Sequence, residues 1–159
     1  MGERVLANSA WEALLSAHAV LMKEFAAEDV WQDVSMREYD VLYTLSKRDE
    51  PLPMSELYRH VLLSQPALSR MVQRLLDREL VERCDDPDDR RRARLSLTAA
   101  GREMQRRIGQ RHARSVARAV IAELSVDEIH QLETIGRKLA GRSAGNDSTS
   151  SGKTEGART

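Results

Sequence analysis

The chain has 159 residues, enough for one compact domain with a real core. Its 25 Lys and Arg balance its 25 Asp and Glu, so no whole-protein field draws it to nucleic acid or membrane, and any electrostatic role must come from the distribution of charge. Aromatic residues make up only 4%, which disfavours an aromatic platform for sugars or single strands, and the one cysteine, Cys84, excludes an internal disulfide.

Met1 to Ala10 carries charge early and lacks an apolar centre, so no secretion signal is expected. Trp11, Leu14, Leu15, Leu21, Met22 and Phe25 follow the 3.6-residue period and predict a first helix, with His18 on the same stripe. No apolar run is expected to approach the roughly 20 residues of a membrane span. The expected location is therefore cytoplasmic, with no membrane partner. Ser35-Met36-Arg37-Glu38 reads as a capping box that opens a second helix through Val41, Leu42 and Leu45, and Lys47 to Pro53 stops it. A short third helix is expected around Ser55 to Val61. Ser64 then reads as an N-cap with Pro66 in the first turn, and Leu68, Met71, Val72, Leu75 and Leu76 form one face of a fourth helix.

Leu80 to Cys84 and Ala93 to Leu97 read as two strands of a hairpin around the charged loop Asp85-Asp86-Pro87-Asp88-Asp89-Arg90-Arg91-Arg92. Thr98 caps a long fifth helix carrying Met104, Ile108, Val116, Val120 and Leu124. Ser125-Val126-Asp127-Glu128 is a second capping box, and it opens a sixth helix through Ile129, Leu132, Ile135 and Leu139. From Gly141 on, the chain is Gly, Ser, Thr and charge with no buried pattern, so disorder is expected. The fold expected is mostly α with a small β-hairpin: a winged helix-turn-helix of six helices plus a wing.

On the fourth helix an inward apolar face leaves Pro66, Ser69, Arg70, Gln73 and Arg74 pointing outward or to the flank, with Gln65 at the N-terminal end. Arg pairs with guanine and Gln with adenine in the major groove, and the N-terminus at Ser64 to Ala67 offers N–H groups to a phosphate. Many surface helices carry Arg and Gln, so this face alone does not decide for DNA. The hairpin loop adds Arg90, Arg91, Arg92 and Arg94, and a loop arginine suits the minor groove. Asp88 and Asp89 would repel phosphates unless each holds an arginine; Asp89 is expected to hold Arg91. A solvated turn with weak ion pairs is the plain alternative.

The run DDRRRARLSLTAAG resembles the wing of the MarR family of bacterial transcriptional regulators, with Asp89, Arg91, Leu97, Thr98 and Gly101 in the family's Asp-x-Arg, Leu-Thr and Gly places. SQPALSRMVQRLLDRELVER resembles its recognition helix and following strand, SMREYDVLYTL is similar to its second helix, and the likeness runs from about Trp11 to Leu139. Glu79 departs from the glycine common before the strand, so a differently built turn is expected there. The resemblance implies a homodimer joined through its first and last helices, with dimerisation regions at 1–34 and 101–141, a DNA-binding domain at 35–100 and a disordered tail at 142–159. It implies binding to a pseudo-palindromic operator, expected to be repression, with release by a small aromatic or anionic ligand. Trp11, His18, Trp31 and Tyr39 would border that ligand; they equally suit a core or dimer contact.

His18, His60, His112 and His130 have no metal-ligand spacing, although some members of the family hold zinc between helices and would bring His18 towards His112. Cys84 in a strand beside Arg83 reads as structural, because neighbouring strand side chains point to opposite faces. No metal or cofactor is expected, and no Gly-rich phosphate loop or nucleophile motif suggests an enzyme. Two rival readings stay open: a winged-helix protein-interaction module that never touches DNA, and a metal- or redox-sensing regulator on the same scaffold.

Overall fold

In the computed structural model, residues 2–86 and 93–145 are described. The elements run α1 (Glu3–Ala26), a 3-10 turn (Asp29–Gln32), α2 (Met36–Ser46), β1 (Leu52–Pro53), α3 (Met54–His60), α4 (Gln65–Asp77), β2 (Val81–Asp85), β3 (Ala93–Leu97), α5 (Ala99–Glu123) and α6 (Val126–Gly145). The chain divides into two compact units, residues 1–116 and residues 117–159. The first holds the winged helix-turn-helix, and the second holds the end of α5 and all of α6.

Local chemistry sets the helix starts. Ser35 accepts from Glu38 N while Glu38 accepts from Ser35 N, so the capping box at α2 is complete. The same exchange opens α6 between Ser125 and Glu128, and the bonds from Ser125 lower the Glu128 carboxyl below its ordinary range. Ser64 accepts from Ala67 N at the start of α4.

The core lies where α2, α3 and α4 meet the sheet. Leu42, Leu57, Leu68, Leu75 and Leu95 are among its fully buried side chains. The sheet has three strands in the order β1-β3-β2, all antiparallel, with Leu52 opposite Leu95 and Val81 opposite Leu97. The segment expected only to stop α2 thus supplies a third strand. Two residues give no periodicity to read, and it is the partner strand that makes them a strand.

The end of α4 corrects another expectation. Glu79 itself takes the left-handed conformation, φ 54, where glycine is the easier residue. Leu80 N donates to Leu75 O and Glu79 N to Leu76 O, the paired bonds of a Schellman end. The turn is therefore built in the usual way around a strained glutamate. Thr98 locks it from the other side: its hydroxyl donates to Glu79 O at 2.7 Å and accepts from Gly101 N at 2.9 Å. One threonine joins the recognition-helix end to the first turn of α5.

Two further expectations shift. The sixth helix continues past Gly141 to Gly145, so the expected tail at 142–159 starts too early; 146–159 lie outside the described residues. In α1 an 18-residue window reaches a mean hydropathy of 1.2, enough by length and composition alone to cross a membrane, which corrects the expectation of no such run. That helix also carries Asn8, Ser9, Glu12, Ser16 and His18. Its Trp11, Leu14 and Leu15 stand exposed, Trp11 at 57%, and Phe25 is its one buried residue.

After α1, an acidic segment is stapled to α5. Arg107 pairs with Asp33 at 2.5 Å, Arg111 with Asp29 at 3.2 Å, and His112 lies 3.6 Å from Glu28. His112 also stands edge-on to Phe25, 5.1 Å between ring centres.

Candidate nucleic-acid interface

The recognition helix is α4, and its two faces separate as expected. Leu68, Met71, Val72 and Leu75 are buried. Ser64, Gln65, Pro66, Ser69, Arg70, Gln73 and Arg74 are exposed, with Ala67 half-buried in the first turn. The apolar side is nailed to the core, so the polar side is presented on a rigid rod rather than a mobile loop.

The polar side chains are not equally free. Among the described residues Arg70 makes no ion pair, so its guanidinium is available to a partner. Gln73 is occupied at both ends: its amide N donates to Asp77 at 2.8 Å and its amide O accepts from Arg83 at 3.3 Å. The Arg74 Nε lies 3.6 Å from Glu38 Oε1, and Arg78 Nη1 lies 3.9 Å from the same oxygen. Periodicity had marked Gln73 and Arg74 as outward residues without showing these internal partners. Glu38 escaped notice as a site residue because its capping role already accounted for it.

The base of the wing is ordered by charge. Asp86 is buried, and Arg94 Nε donates to its carboxylate at 2.9 Å. Asp89, Arg90 and Arg91, expected at the wing tip, lie outside the described residues. Cys84 is half-buried with its sulfur 3.5 Å from Ser96 Oγ, whereas Arg83 reaches Gln73, so the two neighbours do point apart. Among the described residues no group of three or more His, Cys, Asp or Glu is placed to hold a metal ion.

Beside the helix-turn-helix lies an open cleft of about 1010 Å³ between α1, α2 and the turn that joins α3 to α4. His18 lines it, together with Lys23, Arg37, Lys47, Arg48 and His60, and Met22, Tyr43, Leu62 and Leu63 give it apolar wall. Trp11, Trp31 and Tyr39 do not line it. Trp11 sits on the exposed stripe of α1. Trp31 and Tyr39 pack 5.6 Å apart in or against the core, where Trp31 Nε1 donates to Phe25 O and burial raises the Tyr39 phenol. Asp40 is the one acid among the residues lining the cleft, and it is exposed to solvent; partial desolvation raises its carboxyl, opposed by His112 and Arg37. Lys47 stands 4.6 Å over the Tyr43 ring, and the neighbouring Tyr43 raises its ammonium.

Known proteins share this arrangement. A sequence model of the MarR family matches residues 32–92. The HTH-type transcriptional regulator YhbI of Bacillus subtilis is 28% identical over 109 residues, which cover 69% of this chain and 67% of that one. AbsC, a MarR family transcriptional regulator from Streptomyces coelicolor, superposes with a TM-score of 0.71 at 26% identity, over 87% of this chain and 94% of its own. Sco3205, a MarR family transcriptional regulator from the same organism solved in complex with DNA, superposes with a TM-score of 0.70 at 27% identity, over 84% and 85% of the two chains. By its helix-turn-helix, its three-stranded sheet and these likenesses, the chain is similar to the MarR family of winged helix-turn-helix transcriptional regulators.

Proposed function

We propose that this protein is a repressor that binds a pseudo-palindromic operator in double-stranded DNA as a homodimer in the cytoplasm. The observation that carries this reading is the outer face of α4, where Gln65, Pro66, Ser69 and the unpaired Arg70 stand exposed on a helix fixed to the core. In this reading those residues, followed by Gln73 and Arg74, enter the major groove, and the Gln65 N–H at the start of α4 offers a donor to a phosphate, Pro66 having none and Ala67 N bonding to Ser64 Oγ. Asp89, Arg90 and Arg91 serve the minor groove, and the pair of Arg94 with the buried Asp86 steadies the base of the wing. The complex of Sco3205 with DNA supports this assignment.

A homodimer is supported by apolar side chains that stand exposed on each of the two units among the described residues. Trp11, Leu14 and Leu15 are exposed on α1, and Leu132, Ile135 and Leu139 are exposed on α6. Residues 1–34 and 101–141 would join the two copies, leaving 35–100 for DNA. Two-fold symmetry then sets half-sites about 34–36 Å apart.

The cleft suits a small aromatic anion. Its cationic groups outnumber its single acid, and Tyr43 and Met22 provide apolar contact. Because Leu62 and Leu63 belong to the turn before α4, a ligand there bears directly on the recognition helix. Release of DNA follows if the ligand prefers the arrangement that DNA does not.

The test is fluorescence anisotropy of the purified protein on the DNA upstream of its own gene, over a salt series, with unrelated DNA as control. Tight, selective and steeply salt-dependent binding is the expected result. Absence of binding to either duplex at low salt would favour the protein-interaction reading instead.

A further inference from the structure

Glu38 sits at the third position of α2, only 9% exposed, and its two oxygens have separate duties. Oε2 accepts from Ser35 N at 2.8 Å and from Ser35 Oγ at 3.0 Å, completing the capping box. Oε1 faces the recognition helix, 3.6 Å from Arg74 Nε and 3.9 Å from Arg78 Nη1. A mostly buried carboxylate needs a compensating charge, and α4 with its C-cap residue Arg78 supplies two cations.

The two arginines are bound unequally. Arg78 is also tied to the backbone, its Nη2 donating to Asp33 O at 2.5 Å, while the Asp33 carboxylate is held by Arg107. Arg78 is thus fixed to the frame. Arg74 has the ion pair with Glu38 and keeps 55% of its side chain in solvent, one helical turn from Arg70 on the outward face. Of the two arginines, it alone is shared between an internal carboxylate and whatever meets α4.

We propose that Glu38 is a positioning residue that sets sequence discrimination by withholding Arg74 from DNA of the wrong sequence. An arginine on a recognition helix is attracted to any phosphate, and that attraction favours every duplex alike. Glu38 offers Arg74 a competing anion within the protein. Non-cognate DNA, which presents only loosely placed phosphates, leaves Arg74 on Glu38. The operator presents a base edge or a phosphate in fixed geometry, and Arg74 exchanges to it while Arg78 stays behind to neutralise the carboxylate. Discrimination is gained by lowering affinity for the wrong partner. This inference rests on the reading of α4 as the element that meets DNA.

Glu38→Gln isolates the effect, because glutamine still completes a capping box while the charge facing Arg74 is lost. The probes are a duplex enriched from a random-sequence library by the wild-type protein and a scrambled duplex of equal length. Freed Arg74 adds one phosphate contact per protomer on the scrambled duplex. Its log–log salt slope therefore steepens by about 0.9 per protomer, and affinity at about 0.15 M salt rises about 5-fold per protomer. Affinity for the enriched duplex changes less, so the ratio between the two falls. A role for Glu38 in packing alone would shift both duplexes together and leave the slopes unchanged; that result overturns the proposal, as does no change at all. Arg74→Ala gives an independent reading should Glu38→Gln fail to fold. It is expected to leave scrambled-duplex binding within about 2-fold and to weaken the enriched duplex by about 5- to 150-fold. Equal weakening on both duplexes refutes the withholding of Arg74. A wild-type protein that enriches no duplex refutes the reading of α4 itself, and this inference falls with it; the wild-type arm detects that case before any variant is compared.

Discussion

Gly101 stands in the first turn of α5, and a Cβ placed there would lie 1.8 Å from Leu80 O and 2.8 Å from Leu80 C. The obstacle is backbone, not the end of a flexible side chain. Gly101→Ala must therefore lift α5 from the α4–β2 junction by on the order of 1 Å, since packed interiors have no slack of that size. The lift acts on the two bonds of Thr98 that close the junction, to Leu80 O through its amide and to Glu79 O through its hydroxyl. Overpacking costs about 1–3 kcal/mol and the two bonds about 1 kcal/mol each, while alanine in place of glycine returns about 1 kcal/mol of helix propensity. The net destabilisation is about 2–4 kcal/mol, or a fall in Tm of roughly 4–16 °C for a chain of this length. Urea titration and thermal melting at one fixed protein concentration measure it, the concentration being held because association shifts apparent stability. Gly136→Ala is the internal control: nothing lies within 4 Å of its Cβ position on exposed α6, so it should gain about 0.5–1 kcal/mol. A Gly101→Ala protein as stable as the wild type would refute the account of the junction.

Glu79→Gly should stabilise the protein by up to about 1 kcal/mol in the same urea assay, by relieving a left-handed glutamate, and should leave DNA affinity unchanged. Arg70→Ala should cost about 1–3 kcal/mol at particular base positions in competition binding with single-site operator variants; an equal loss on every sequence excludes base readout by Arg70. Arg91→Ala should weaken binding to most sequences and flatten its salt dependence, as measured by anisotropy over a salt series. The raised Asp40 carboxyl favours the folded state while protonated, and that contribution is lost as pH rises above the unfolded value of 3.8. Melting curves should therefore show Asp40→Asn gaining on the wild type from about pH 4 upwards and converging with it at about pH 3.

Most of the architecture could be read from the chain because its signals are local. Ser35 with Glu38, Ser64 with Ala67 and Ser125 with Glu128 each satisfy a helix start within three residues, and caps of this kind are written into adjacent sequence. The features that escaped are made by distant segments. Leu52 and Pro53 become a strand only because β3 lies beside them. The conformation of Glu79 depends on the helix end and on Thr98, nineteen residues away. Trp31 and Tyr39 suit pocket aromatics because the resemblance puts them on elements that border the ligand, but in the fold they turn inward to the core.

The same distinction governs the interface. Helical periodicity locates the outward face of α4 by angle alone, and every residue assigned to that face is indeed exposed apart from the half-buried Ala67. Exposure is nevertheless weaker than availability. Gln73 stands outward and yet has both amide atoms engaged, by Asp77 one turn on and by Arg83 on the neighbouring strand. Arg74 stands outward and is drawn towards Glu38, a residue of another helix. In the proposed reading Arg70, with no such partner among the described residues, meets DNA at no internal cost, whereas Gln73 and Arg74 must first leave theirs. The face therefore holds groups of two kinds. In that reading Arg70 is open to a base edge from the outset, and Gln73 and Arg74 engage only where the DNA offers more than the protein already does. The readiness of each group is thus set by its partners, Asp77 within α4 and Arg83 and Glu38 beyond it, and not by its angle on the helix.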